Sequence, residues 1–180
     1  MTATALTPLV LDTNVVLDLL VYADPAAAPL HALLAHTSIR WLTTDWMREE
    51  LHRVLDYPQI QKRLAARALT AQRVLALFDA RTHTVATAPK APYTCQDRDD
   101  QPFIDLAVAY RAHLLSKDKA VLCMRQRLAR LGVMVARTWS VETFDESGHL
   151  RLGTPVGTLS VAGRSVSVPL RSRSLIHSNQ

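Results

Sequence analysis

Four acids in this 180-residue chain, Asp12, Glu50, Asp100 and Asp118, stand where their surroundings bring them toward one place. Asp12 and Asp118 follow the short apolar runs Pro8-Leu9-Val10-Leu11 and His113-Leu114-Leu115-Ser116, which read as buried strands. In an open α/β sheet the carboxyl ends of the strands, near the topological switch point, form the ligand-binding edge. Asp100 starts a helix. At roughly 100° per residue it shares a face with Phe103, Ile104 and Ala107, while Asp105 points about 140° away, so Asp100 is expected to face the sheet and Asp105 the solvent. On the helix from Thr44 to Leu55, Met47, Leu51, Val54 and Leu55 form the apolar arc; Glu50 falls at its margin and Glu49 nearly opposite.

Carboxylates that share a pocket repel and raise one another's pKa unless a cation sits among them. An oxygen-only ligand set suits Mg²⁺ or Mn²⁺ rather than zinc. Such an ion lowers the pKa of a water, orients it, and stabilises charge on a phosphodiester under in-line attack. Thr13 and Asn14, just beyond Asp12 at a helix start, and Ser116, two before Asp118, are candidates to support the acids or to contact a phosphate. Singly, each acid has an ordinary use: Asp118 as a helix cap, Glu50 as a solvated residue, Asp97-Arg-Asp-Asp100 as a polar loop. The agreement of four placements marks a site.

The elements that must position these acids follow from periodicity and punctuation. Strands are expected at Pro8–Leu11, Ile39–Thr43, Thr82–Ala86, His113–Ser116 and Val133–Val135. Helices are expected from Thr13 to Tyr22, with Asp12 or Thr13 as cap, and from Pro25 to about His36. Further helices are expected from the Thr44-Asp45 cap to Leu55, at Gln59–Leu69, Thr70–Arg81 and Pro102–Ala112, and from an Asp118 cap to Leu131. Gly132 ends the last one. Alternating βα units predict an α/β chain in three αβα layers around a mostly parallel sheet. After Glu146 the composition changes: Gly148 to Leu170 holds four of the five glycines. The expected division is a domain over 1–146 and a C-terminal hairpin or tail over 147–180.

Composition narrows the classes. Apolar residues are 48% and charged residues 21%, a globular balance, and the net charge of +5 suits a polyanionic partner. Two cysteines, Cys95 and Cys123, form no CxxC pair, which points to a reducing cytoplasm. No stretch approaches the roughly 20 apolar residues of a membrane span. Seven dispersed histidines argue against zinc, and no phosphate-binding glycine loop or nucleophile elbow is present. Trp41, Trp46 and Trp139 are of a type that stacks nucleobases, although Trp beside apolar strands and helices is more often core.

Leu11-Asp12-Thr13-Asn14-Val15-Val16-Leu17 resembles the opening motif of PIN-domain proteins, and Glu50-Leu51-His52-Arg53-Val54-Leu55 their second acidic motif. Asp97-Arg-Asp-Asp100-Gln-Pro-Phe-Ile-Asp-Leu-Ala107, followed by Leu114-Leu-Ser-Lys-Asp118, is similar to their third and fourth. The resemblance covers roughly Leu9 to Ser140, and the four motifs in order look most like the branch of toxins from toxin–antitoxin pairs. The resemblance implies a Mg²⁺- or Mn²⁺-dependent endoribonuclease acting on RNA, with Asp12, Glu50, Asp100 and Asp118 as catalytic and metal-binding acids. It also implies a small antitoxin partner and frequent homodimers. Ser116 stands where Thr is more usual, and Asp97 and Asp99 are expected to be solvated. Two other readings compete: a catalytically idle PIN-fold module that binds RNA or protein, and a phosphotransferase with Asp12 as nucleophile, against which Asn14 stands where a second acid is common.

Overall fold

A computed structural model describes residues 6–35 and 39–139. Among these, five strands form one parallel sheet in the order β3-β2-β1-β4-β5: β1 Thr7–Leu11, β2 Ile39–Thr43, β3 His83–Thr84, β4 His113–Leu115 and β5 Met134–Ala136. The chain builds outward from β1 to β2 and β3, then crosses to the other side of β1 for β4 and β5. The switch point therefore lies between β1 and β4, which pair in register Val10 with Leu114 and Leu11 with Leu115. The backbone N–H of Asp12 continues that ladder by donating to the Leu115 carbonyl at 2.9 Å.

Strand periodicity divides the apolar side chains between two cores. Leu9 and Leu11 join Trp41, Leu115 and Leu51 on one face of the sheet. Val10, Leu42 and Leu114 join Phe103, Ile104 and Leu128 on the other. One residue of register slip would exchange the two faces, so the double burial holds the strands in place. Helices cover both sides, and the fold is the expected three-layer α/β arrangement.

The helices are α1 (Thr13–Leu17, continuing as a π-turn over Asp18–Tyr22), α2 (Ala28–Leu34, entered through a 3₁₀ turn at Pro25–Ala27) and α3 (Asp45–Leu55). After them come α4 (Pro58–Ala66), α5 (Ala71–Asp79), α6 (Gln101–Tyr110), α7 (Lys119–Leu122) and α8 (Arg125–Ala129). Thr44 caps α3 through Met47 N at 3.4 Å, and Thr70 caps α5 through Arg73 N at 3.1 Å, as the Thr-led starts predict. Besides several shifted element ends, such as β3, which is shorter than the expected Thr82–Ala86, three expectations need correction. The basic helix after Asp118 is broken in two: Met124 N bonds three residues back to Val121, while the Cys123 thiol donates to the Ala120 carbonyl, so the ladder lapses. Asp12 occupies an N-cap position without a side-chain capping bond. Asp105 does not face solvent; it accepts from Ala91 N at 2.8 Å and Gln101 Nε2 at 2.6 Å, because the loop before α6 folds over that side of the helix and its N–H needs an acceptor. The expected hairpin or tail at 147–180 lies outside the described residues.

Candidate active site

Asp12 leaves β1 at its carboxyl end, and the residue is only 4% exposed. It is held by two side chains that converge on one oxygen, Oδ2: Ser116 Oγ donates at 2.5 Å and Asn14 Nδ2 at 2.7 Å. Those donors come from opposite sides of the switch point, Ser116 from the end of β4 and Asn14 from α1. Asn14 also accepts from Lys117 N at 3.2 Å through its Oδ1, and Asp118 N donates to Ser116 Oγ at 3.0 Å. The segment Ser116-Lys117-Asp118 is thereby laced to Asp12-Thr13-Asn14. Burial pushes the Asp12 pKa up; the Ser116 and Asn14 bonds oppose that, and the nearby charge of Asp118 adds to it.

Glu50 reaches the same edge from α3. Thr13 Oγ1 donates to its Oε1 at 3.3 Å, while Oε2 is buried and makes no hydrogen bond within the protein. Burial, with repulsion from Asp12, raises its pKa to about 7 despite the bond from Thr13 and the pull of Arg53. Glu49, one residue earlier, is 69% exposed and pairs with Arg48 and with His52. Asp100 precedes α6 with no side-chain capping bond, and its Oδ2 is likewise buried without a partner. Its pKa is raised to about 7, first by burial and then by the charges of Asp12, Asp118, Asp97 and Glu50, so all three other acids lie close enough to act on it. Asp118 caps α7 through Ala120 N at 2.6 Å. Asp97 and Asp99 are exposed, and Asp97 Oδ1 accepts from Asp99 N at 2.9 Å.

The four acids and Thr13, Asn14 and Ser116 are thus gathered at the carboxyl ends of β1 and β4. Lys117 joins them unannounced by the sequence reading. Its ammonium pairs with Asp18 in the π-turn and lies 3.6 Å from Asp24, contacts that span about a hundred residues and leave no local pattern.

A buried charged acceptor without a donor costs several kcal/mol, unless a proton or a cation compensates it. Two such oxygens beside a third buried carboxylate, all hard oxygen donors, fit a Mg²⁺- or Mn²⁺-type ion. Among the described residues, no three acidic, His or Cys side chains are already closed around one point.

Residues 8–120, more than half of the chain, match the PIN domain, and all four acids fall inside the match. No curated protein matches the sequence. With a parallel sheet whose switch point carries these acids and a match of that extent, the chain belongs to the PIN-domain family.

Proposed function

We propose that this protein is a Mg²⁺- or Mn²⁺-dependent endoribonuclease that cuts single-stranded RNA, and that it serves as the toxin of a toxin–antitoxin pair. PIN domains are in general nucleases and typically use divalent metal ions. The observation that carries the reading is the pair of partnerless buried oxygens, Glu50 Oε2 and Asp100 Oδ2, beside the buried Asp12.

On this reading Asp12, Glu50, Asp100 and Asp118 hold the ion. A bound divalent cation supplies a more acidic water and stabilises charge on the phosphodiester. The chain's own groups do the rest. Ser116 and Asn14 fix the Asp12 carboxylate in one orientation and favour its ionised form. Thr13 aims Glu50, and the strap Ser116-Lys117-Asp118 holds the two strand ends at constant separation. Burial and mutual repulsion, which raise the Glu50 and Asp100 pKa values in the metal-free chain, are what a bound cation would relieve. The antitoxin, a homodimer and a reducing cytoplasmic setting belong to the same proposal. Two unpaired cysteines, Cys95 buried and Cys123 exposed, support the last of these.

The open spread of the carboxylates favours one second reading, an idle PIN-fold module that binds RNA or protein without cutting. Incubating labelled single-stranded RNA with the protein in Mg²⁺ or Mn²⁺, then adding EDTA, separates the two. Metal-dependent fragments support the nuclease, and intact RNA that is nonetheless retained supports the idle module. A phosphomonoester substrate run alongside is expected to stay uncut.

A further inference from the structure

An acidic pocket is a poor place to bind a polyanion, so affinity for a nucleic acid must come from groups around it that carry no negative charge. Trp46 is such a group. It is the second residue of α3 and lies four residues before Glu50, hence on the same face and one turn nearer the carboxyl edge of the sheet. It is 37% exposed, whereas Trp41 and Trp139 are buried in the core as Trp ordinarily is. Its ring meets Phe103 edge-to-face, with centroids 6.1 Å apart and planes at 74°. Phe103 is buried and stands three residues after Asp100 on α6. The exposed ring is therefore braced between the two helices that deliver Glu50 and Asp100. Among the described residues the other exposed aromatics, Tyr57 and Tyr110, lie past or at the far ends of α3 and α6, about 15 Å along each helix from the acidic edge.

We propose that Trp46 is the stacking platform for a nucleobase of single-stranded RNA adjoining the acidic site, an assignment that rests on the ribonuclease reading of that site. A tryptophan held by an edge contact loses little freedom on binding. Stacking accepts any base and adds affinity without charge, about tenfold per base. The Arg53 guanidinium, one turn beyond Glu50 and exposed, is placed for the neighbouring backbone.

The test is a binding cycle in the full-length chain carrying Asp12→Asn to suppress cleavage. Fluorescein-labelled RNA oligonucleotides with one abasic nucleotide at each position in turn are titrated against protein with Trp46, Trp46→Phe or Trp46→Leu, and each protein is melted as a control. Trp46→Leu is expected to weaken binding of intact RNA about tenfold, and Trp46→Phe to recover most of it. One abasic position is expected to cost the Trp46 protein about tenfold and the Trp46→Leu protein nothing more. Should Trp46→Leu melt lower, Trp46→Met, which can fill the space against Phe103, replaces it in the same cycle. Unchanged binding by the apolar variant, abasic losses that are equal in both proteins, or no RNA binding by the Trp46 protein would each overturn the assignment. Cleavage by the otherwise unmodified chain is scored separately. Cutting without a Trp46 effect leaves the nuclease reading standing and removes the platform; a Trp46 effect without cutting does the reverse.

Discussion

Replacing Asp100 by Asn should stabilise the metal-free protein at alkaline pH and leave it unchanged at acid pH. Asp100 Oδ2 is buried without a donor, and burial together with the charges of Asp12, Asp118, Asp97 and Glu50 raises its pKa from 3.8 to about 7. Between those values the folded chain keeps a proton that the unfolded chain has released. The unfolding free energy therefore falls as pH rises from about 4 to about 7, and is level above. At about 1.4 kcal/mol per pKa unit the full span sets a ceiling of about 4 kcal/mol, which partial exposure and coupling to the other acids reduce to about 1–2 kcal/mol. Asn keeps the shape and carries no charge at any pH. Near pH 8 in EDTA, Asp100→Asn should melt about 3–6 °C above the parent. Below about pH 4, where Asp100 is protonated in the unfolded as well as the folded parent, the two should coincide within about 1 °C. Millimolar Mg²⁺ should raise the melting temperature of the parent more than that of the variant. A loss of stability at alkaline pH would show that the Asp100 carboxylate is ionised and satisfied, and the same gain at both pH values would show that its charge is not the cause; either result would refute the stored repulsion.

Glu50→Gln should lower the RNA-cleavage rate constant at least about tenfold, near 1.4 kcal/mol of transition-state stabilisation, and weaken metal binding. Glu49→Gln, at an exposed charge on the same helix, should change neither; equal losses would contradict the roles given to the two faces of α3. Ser116→Ala removes the bond to Asp12 and leaves Asp118 N without its acceptor, so it should cost about 1–3 kcal/mol in a melt and slow cleavage, with Ser116→Thr restoring both. A chain ending at Asp145 should still fold and cleave, because it keeps every core residue found among the described residues, and its RNA affinity should fall less steeply with salt once Arg151, Arg164, Arg171 and Arg173 are gone. An insoluble product would place the tail in the core or in an interface.

The parts of this fold that could be read in advance are those written in local chemistry. The Thr44 and Thr70 starts, the Ile39–Thr43 strand and the separation of Glu49 from Glu50 rest on hydroxyl caps and on periods of two and 3.6 residues, and each stands as expected. Helix ends were less legible. α4 and α6 stop earlier than expected because Ala68 and Arg111 turn left-handed, at φ 50° and 48°, and Leu69 N and Ala112 N fold back on Leu64 and Ala107. Among the described residues only Gly132, at φ 80°, carries the glycine that usually announces such an end. The acids could be assigned to the sheet edge, but how they are held there could not. Ser116 to Asp12 spans 104 residues and the Lys117–Asp18 pair nearly as many. Asp105 misled for a related reason: a helical wheel gives an angle relative to the sheet and takes no account of a loop packed on the outer side.

The most direct measurement is the single-turnover cleavage rate of end-labelled single-stranded RNA in Mn²⁺ by the parent and by Asp12→Asn, with folding of both verified by melting. The Asp12 carboxylate, buried between Ser116 and Asn14 at the switch point, is the centre of the account. The parent is expected to give fragments that vanish with EDTA, and the folded Asp12→Asn protein a rate lower by at least about a hundredfold, corresponding to about 2.7 kcal/mol. Cleavage by Asp12→Asn at the parent's rate, or parent cleavage that persists in EDTA, would contradict it.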